Sequence, residues 1–135
     1  MRRTMLFIPG NNPGMLINAE VHGSDSIIFD LEDAVSPNEK DAARALVRNA
    51  LKTFTPYRRE VIIRINALST PYWKADLEAV IPFRPALIMP SKVDTGEDIR
   101  TLSNYIDEMC IRDRVRRAPQ HPIKVKDPQL PAPGS

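Results

Sequence analysis

Ser26-Ile27-Ile28-Phe29-Asp30-Leu31-Glu32-Asp33-Ala34-Val35-Ser36-Pro37-Asn38-Glu39 holds a strand, an acidic loop and the start of a helix in one continuous stretch. Its first residues are apolar in succession rather than in alternation, the pattern of a strand buried on both faces. Ser36-Pro37-Asn38-Glu39 reads as a capping box with proline at the first helical position. The Ser36 hydroxyl would accept from the Glu39 amide while the Glu39 carboxylate reaches back. The helix opened there is expected to turn Ala42, Ala45, Leu46 and Ala50 inward and to leave Lys40, Arg44 and Arg48 largely outside.

The same strand–helix alternation extends to both sides. Upstream, Met5-Leu6-Phe7-Ile8 is ended by Pro9-Gly10, and Pro13 suits the first turn of a helix capped by Asn11 or Asn12 and stopped at Gly23. Downstream, Val61-Ile62-Ile63-Arg64-Ile65 is a third strand, and Thr70-Pro71 opens a helix turning Trp73, Leu77, Val80 and Ile81 inward. Ala86-Leu87-Ile88-Met89 is a fourth strand, and a fourth helix starts between Thr95 and Asp98, carrying Ile99, Leu102 and Ile106. The sum is (βα)4, a parallel sheet with right-handed crossovers. An open doubly wound sheet and half of a closed barrel both satisfy that pattern.

The 135 residues suffice for one modest domain but fall short of the roughly 250 of a complete (β/α)8 barrel. Hydrophobic and charged fractions of 42% and 27% are ordinary for a globular protein. No apolar run reaches the roughly 18 residues of a membrane span, and the start lacks the apolar core of a signal peptide, so cytoplasmic localisation is expected. One cysteine, Cys110, excludes an internal disulfide and a cysteine-rich zinc site.

The net charge of +2 is unevenly spread: residues 109–135 contribute +4 and the rest −2. A basic tail can mark a nucleic-acid or membrane arm. However, Met109-Cys110-Ile111-Arg112-Asp113-Arg114 matches one reading frame of a transposon-end adapter used in sequencing libraries, and five of the 13 prolines follow it. Residues 109–135 are therefore expected to be a disordered, non-native tail after a domain of residues 1–108, with neither nucleic acid nor membrane as partner.

Parallel α/β folds place chemistry at the carboxyl ends of the strands. Those ends read Pro9-Gly10-Asn11-Asn12, Asp30-Leu31-Glu32-Asp33, Arg64-Ile65-Asn66 and Pro90-Ser91-Lys92, so acids, an arginine, a lysine and amides converge on one rim. Asp30, Glu32 and Asp33 repel one another unless a cation or hydrogen-bond donors offset them, which fits a divalent-cation neighbourhood. Taken singly, each could merely cap a loop or be solvated. Arg64, in an otherwise apolar strand, offers a bidentate grip on a carboxylate, either a substrate's or that of Asp30 or Glu32. Asn66 is expected to shape its turn. Lys92 could meet an anion, though a solvated lysine is the commoner outcome at a strand end. His22, His121 and Trp73 are read as incidental or packing residues, and Gly10 with Gly14 makes no dinucleotide fingerprint.

Four stretches together carry a family resemblance: Arg3 to Asn11, Ile28 to Val35, Val61 to Asn66 and Met89 to Lys92. In order and spacing they resemble the citrate lyase β subunit family of the HpcH/HpaI aldolase superfamily, over roughly residues 2–108. The resemblance implies the N-terminal (βα)4 half of a (β/α)8 TIM barrel. It also implies Mg2+-assisted cleavage of a citryl thioester, linked to CoA or a carrier protein, to oxaloacetate and an acetyl thioester. By motif match Arg64 would bind substrate, Glu32 and Asp33 would be catalytic, and Asp30, Glu32 and Asp33 would lie near the metal without touching it. The family's direct glutamate and aspartate ligands come from later strands, beyond residue 108, so no direct metal ligand is expected in this chain, and an inactive, poorly soluble fragment is. Implied partners are a homo-oligomer and, in a citrate lyase complex, the α subunit and acyl carrier protein. The stretch Pro13-Gly14-Met15-Leu16-Ile17-Asn18 has no lysine of the kind that contacts CoA in stand-alone relatives, which leans toward the carrier-linked complex. Alternatives are a malyl-CoA or methylmalyl-CoA lyase-like enzyme and a non-catalytic α/β binding domain.

Overall fold

A computed structural model describes residues 2–53 and 59–117. Four strands, β1 (Met5–Pro9), β2 (Ser26–Asp30), β3 (Glu60–Ile65) and β4 (Leu87–Pro90), form one parallel sheet in chain order. Helices α1 (Pro13–Ile17), α2 (Lys40–Thr53), α3 (Trp73–Val80) and α4 (Gly96–Arg117) follow them in turn. The strand–helix alternation expected from the sequence is thus present throughout. No described helix is long and apolar enough to cross a membrane.

Because successive strand residues point to opposite faces, each strand contributes alternate side chains to the helix side. Ile8, Ile27, Phe29, Val61, Ile63 and Ile65 pack there against Leu16, Val47, Leu51, Leu77 and Val80 in one core. Burying each such side chain stabilises by about 1.5–3 kcal/mol. Every residue of β2 is buried, as its unbroken apolar run requires. The opposite face carries Phe7, Asp30 and Arg64, and the register sets Asp30 directly beside Arg64 on neighbouring strands.

Local chemistry explains the joints. Asn12, the first-helix cap expected from sequence, accepts from the Met15 amide at 3.1 Å. Gly23, in the left-handed region at φ 68°, closes the 3-10 turn (Ala19–His22) that prolongs that segment. Gly10 is fixed by a close approach: its amide donates to the Asp30 carbonyl at 2.8 Å, and a Cβ there would sit 2.8 Å from the same oxygen.

Three expectations need correction. The capping box does not form as read: the Ser36 side chain caps no amide and instead donates to Glu39 Oε2 at 3.0 Å, which also accepts from Asn11. Residues Pro37–Glu39 wind as a 3-10 turn before α2 begins. That tighter winding shifts the helix phase, so Ala43, Val47, Ala50 and Leu51 are buried while Ala42 is exposed. Lys40 is buried and Arg44 half-buried, and of the three basic residues only Arg48 lies outside. Third, residues 109–117, expected to belong to a disordered tail, continue α4, which runs through Arg117 with Met109 buried against the core. No proline or glycine interrupts residues 97–117, so nothing breaks the helix there. Residues 118–135, the remainder of that tail, lie outside the described residues.

Candidate active site

The structure gathers Asp30, Glu32, Asp33, Arg64 and Lys92 on one rim at the carboxyl ends of β2, β3 and β4. Arg64 grips Asp30 with two bonds, Nε to Oδ1 at 2.9 Å and Nη2 to Oδ2 at 2.5 Å. Asp30 also accepts from the Glu32 amide at 2.9 Å and the Ala34 amide at 3.1 Å, so it pins the turn of its own loop. The internal ion pair weighed from the sequence is therefore the arrangement present. Phe7, from β1, lies against the guanidinium with its ring centre 4.9 Å from Arg64 Cζ, a cation–π contact.

Electrostatics follow from these partners. Burial pushes the Asp30 carboxyl up, but the Arg64 guanidinium and the amides of Glu32 and Ala34 outweigh it and hold it below the ordinary value. Asp30 in turn raises Arg64. Glu32 is buried, accepts from the Asp33 amide at 2.8 Å, and pairs with Lys92 at 3.1 Å and with Arg64 at 3.7 Å. Lys92 also lies 3.7 Å from Asp33. The hydrogen bond to Glu32, with the charges of Glu32 and Asp33, raises Lys92. A lysine kept protonated in this way is unsuited to forming a Schiff base. Asp33, 67% exposed, is the rim carboxylate most open to a ligand.

Behind the rim lies a buried polar layer. Lys40 Nζ donates to the carbonyls of Leu31 at 2.9 Å and Glu32 at 2.7 Å. Burial lowers its pKa, opposed by the charges of Asp76, Glu32 and Asp30. Asn66 Nδ2 donates to the same Leu31 carbonyl at 2.9 Å and to Asp76 Oδ2 at 2.6 Å. Asp76, fully buried on α3, also accepts from Arg44 Nε at 2.7 Å. Both helices α2 and α3 thus brace the acidic loop. Asn66 shapes this turn, as its position in the sequence implies, whereas Lys40, Arg44 and Asp76 were missed. The available signal was phase: Asp76 shares the inward face of α3 with Trp73, Leu77 and Val80, and an inward acid requires a partner. Trp73 packs edge-on against Tyr105 at 5.1 Å, a packing role. His22 lies in the 3-10 turn before Gly23, and His121 lies outside the described residues.

These residues do not form a metal-ligand set. Among the described residues no group of three histidine, cysteine, aspartate or glutamate side chains is placed to hold an ion. Asp30 is taken up by Arg64 and two amides, and Glu32 by Lys92 and the Asp33 amide. The mutual repulsion of the rim acids is offset by side-chain cations.

The HpcH/HpaI aldolase/citrate lyase family matches residues 3–123. The chain belongs to that family. It is 46% identical over 108 residues to the citrate lyase subunit beta of Leuconostoc mesenteroides subsp. cremoris, covering 80% of this chain and 36% of that protein. It is 36% identical over 107 residues to a (3S)-malyl-CoA thioesterase of Cereibacter sphaeroides, covering 79% of this chain and 38% of the relative. A solved citrate lyase beta subunit from M. tuberculosis, complexed with oxaloacetate and magnesium, superposes with a TM-score of 0.62 at 31% identity, covering 73% of this chain and 42% of that one. The fold is accordingly the four-stranded α/β portion of this aldolase/citrate lyase barrel. The chain spans well under half the length of the relatives it matches.

Proposed function

We propose that this chain forms the oxo-acid-gripping half of a carbon–carbon lyase that cleaves a citryl thioester to oxaloacetate and an acetyl thioester. The observation that carries the proposal is the Arg64–Asp30 pair at the strand ends, with Glu32, Asp33 and Lys92 around it. Asp30 engages two of the five N–H donors of the Arg64 guanidinium, and the remainder can meet a substrate carboxylate. Asp33, exposed beside Lys92, is the group assigned to take the substrate hydroxyl proton as the carbon–carbon bond breaks and to return it to the thioester enolate, with Glu32 holding Lys92 and the loop in place. The carboxylate contact orients the substrate, so that charge developing on the departing enolate faces fixed donors.

Mg2+ is the proposed cofactor of the whole protein, supported by the magnesium in the similar M. tuberculosis structure. Among the described residues no group of three acidic, histidine or cysteine side chains is placed to hold it. The likeness to a citrate lyase subunit beta supports assembly with an α subunit and an acyl carrier protein, and a homo-oligomer of the whole protein. The likeness to the malyl-CoA thioesterase favours a second substrate, a malyl or methylmalyl thioester, on the same rim.

A hybrid decides between them. Residues 1–108 would replace the matching part of the Leuconostoc subunit, and the purified hybrid would be assayed for release of oxaloacetate from citryl thioesters. Cleavage with preference over malyl thioesters is expected. A folded hybrid that turns over only malyl thioesters would transfer the assignment to the second substrate, and one inert to both would remove it.

A further inference from the structure

The buried polar groups behind the rim reach it through two peptide planes. In a trans peptide the carbonyl and the N–H point in opposite directions, so holding one aims the other. The Leu31 carbonyl accepts from Asn66 Nδ2 and from Lys40 Nζ, both at 2.9 Å. The N–H of the same peptide, that of Glu32, donates to Asp30 Oδ1 at 2.9 Å. The Glu32 carbonyl accepts from Lys40 Nζ at 2.7 Å and from the Val35 amide at 3.1 Å. The N–H across that peptide, that of Asp33, donates to Glu32 Oε2 at 2.8 Å. Both carbonyls are thus fixed from behind, while the N–H groups meet the two buried carboxylates of the rim.

Asp76 sets the amide that holds the first of these planes. An asparagine side chain offers an NH2 at one end and an acceptor oxygen at the other. Asp76 Oδ2 accepts from Asn66 Nδ2 at 2.6 Å and from the Asn66 main-chain N–H at 2.9 Å. A carboxylate and a carbonyl are both acceptors, so only the NH2 end of Asn66 can face Asp76 and Leu31 together. Arg44 Nε occupies the other Asp76 oxygen at 2.7 Å. Apolar residues in place of a buried ion pair are often neutral or stabilising, so packing alone does not account for an acid at this position.

We propose that Asn66 and Asp76, with Lys40, are positioning residues that orient the Leu31–Glu32 and Glu32–Asp33 peptides and so fix the place from which Asp33 exchanges its proton with the substrate. The catalytic part of this rests on the lyase function proposed above. The order of action is from α3 to the rim: Asp76 orients Asn66, Asn66 holds the Leu31 carbonyl, and the peptide turns the Glu32 amide onto Asp30. Lys40, from α2, spans both planes and couples the second to the first. None of these three side chains reaches the open side of the rim, since Lys40, Asn66 and Asp76 are all buried. Their effect on the reaction therefore passes through the loop, and a displacement of about 1 Å at the reacting group is enough to lower the rate on the order of 100-fold.

Amide relaxation measured by NMR on the full 135-residue chain reads the loop directly, with far-UV circular dichroism as the check on folding. Asn66→Ala and Asp76→Asn should each lower the order parameters of the Glu32 and Asp33 amides from about 0.85 toward about 0.6, while Ile28 and Ile63 stay rigid. In the hybrid with the Leuconostoc subunit, each variant should lose on the order of 30-fold in kcat with KM within about threefold of the parent. KM is spared because the two bonds from Arg64 to Asp30 do not run through these peptides. The double variant should lose less than the product of the single losses, since Asp76 acts through Asn66. Asn66→Ser takes the place of a variant that does not fold. A loop that stays rigid in the folded variants, an unchanged kcat, an effect confined to KM, or single losses that multiply in full would each overturn the proposal. A parent hybrid inert to citryl thioesters would remove the lyase function, and the relaxation measurement would then decide alone whether these residues hold the loop.

Discussion

Replacing Arg64 by methionine removes the cation from a buried pair while keeping the length of the side chain. Asp30, with 2% of its side chain exposed, is then left with the Glu32 and Ala34 amides alone. Breaking a buried pair by deleting one partner costs about 3–5 kcal/mol. The two surviving amide bonds, and the 22% exposure of Arg64, reduce this to about 2–3 kcal/mol at neutral pH. The pH dependence has a definite sign. In the wild type, the folded-state pKa of Asp30 is depressed, so its contribution is present above the unfolded value and lost as pH falls through the folded one. Without Arg64, burial dominates and raises the carboxyl, so the variant is penalised most at neutral pH. By about pH 4, near the ordinary aspartate value, Asp30 in the variant folds protonated and the penalty shrinks to about 1 kcal/mol. Urea unfolding of both proteins at equal concentration, at pH 7 and pH 4, measures the difference. A loss below about 0.5 kcal/mol at pH 7, or an equal loss at both pH values, would refute the reasoning.

Lys40→Met leaves the Leu31 carbonyl with Asn66 alone and the Glu32 carbonyl with the Val35 amide alone. A stability loss of about 1–3 kcal/mol and faster amide exchange at Glu32 and Ala34 are expected, with partial rescue by Lys40→Arg. Glu60, bonded by Arg2 and Ser26 at the amino ends of the strands, has its pKa lowered to about 2. NMR titration should find it there, and Arg2→Ala should return it toward the ordinary glutamate range.

The strands were legible because each is a short unbroken apolar run, and strands buried on both faces leave no other pattern. Of the site, the rim acids, Arg64 and Lys92 could be read from strand ends alone, since a parallel sheet fixes where those ends lie. What stayed open was the choice of partner, a substrate carboxylate, Asp30 or Glu32. Arg64 beside Asp30 depends on register between strands 34 residues apart in sequence, which no local pattern encodes. Lys40 was placed outside because its inward position depends on the 3-10 turn that shifts the phase of α2. Asp76 carried a local sign, an acid among inward apolar residues, but its partners Asn66 and Arg44 are distant in sequence. Residues 109–117 were not read as helix because composition was averaged across residues 109–135, whereas the first proline of that stretch is Pro119.

In the proposed reaction Arg64 grips the oxo-acid end of the substrate. The most direct test of that claim is kcat/KM for citryl thioester cleavage by the hybrid with the Leuconostoc subunit, with Arg64→Lys and Arg64→Met compared with the parent. Lysine keeps the charge beside Asp30 but loses the bidentate fork, so a fall of on the order of 100-fold is expected, with methionine lower still. Rates within about threefold of the parent for Arg64→Lys, in a hybrid that remains folded, would contradict the claim.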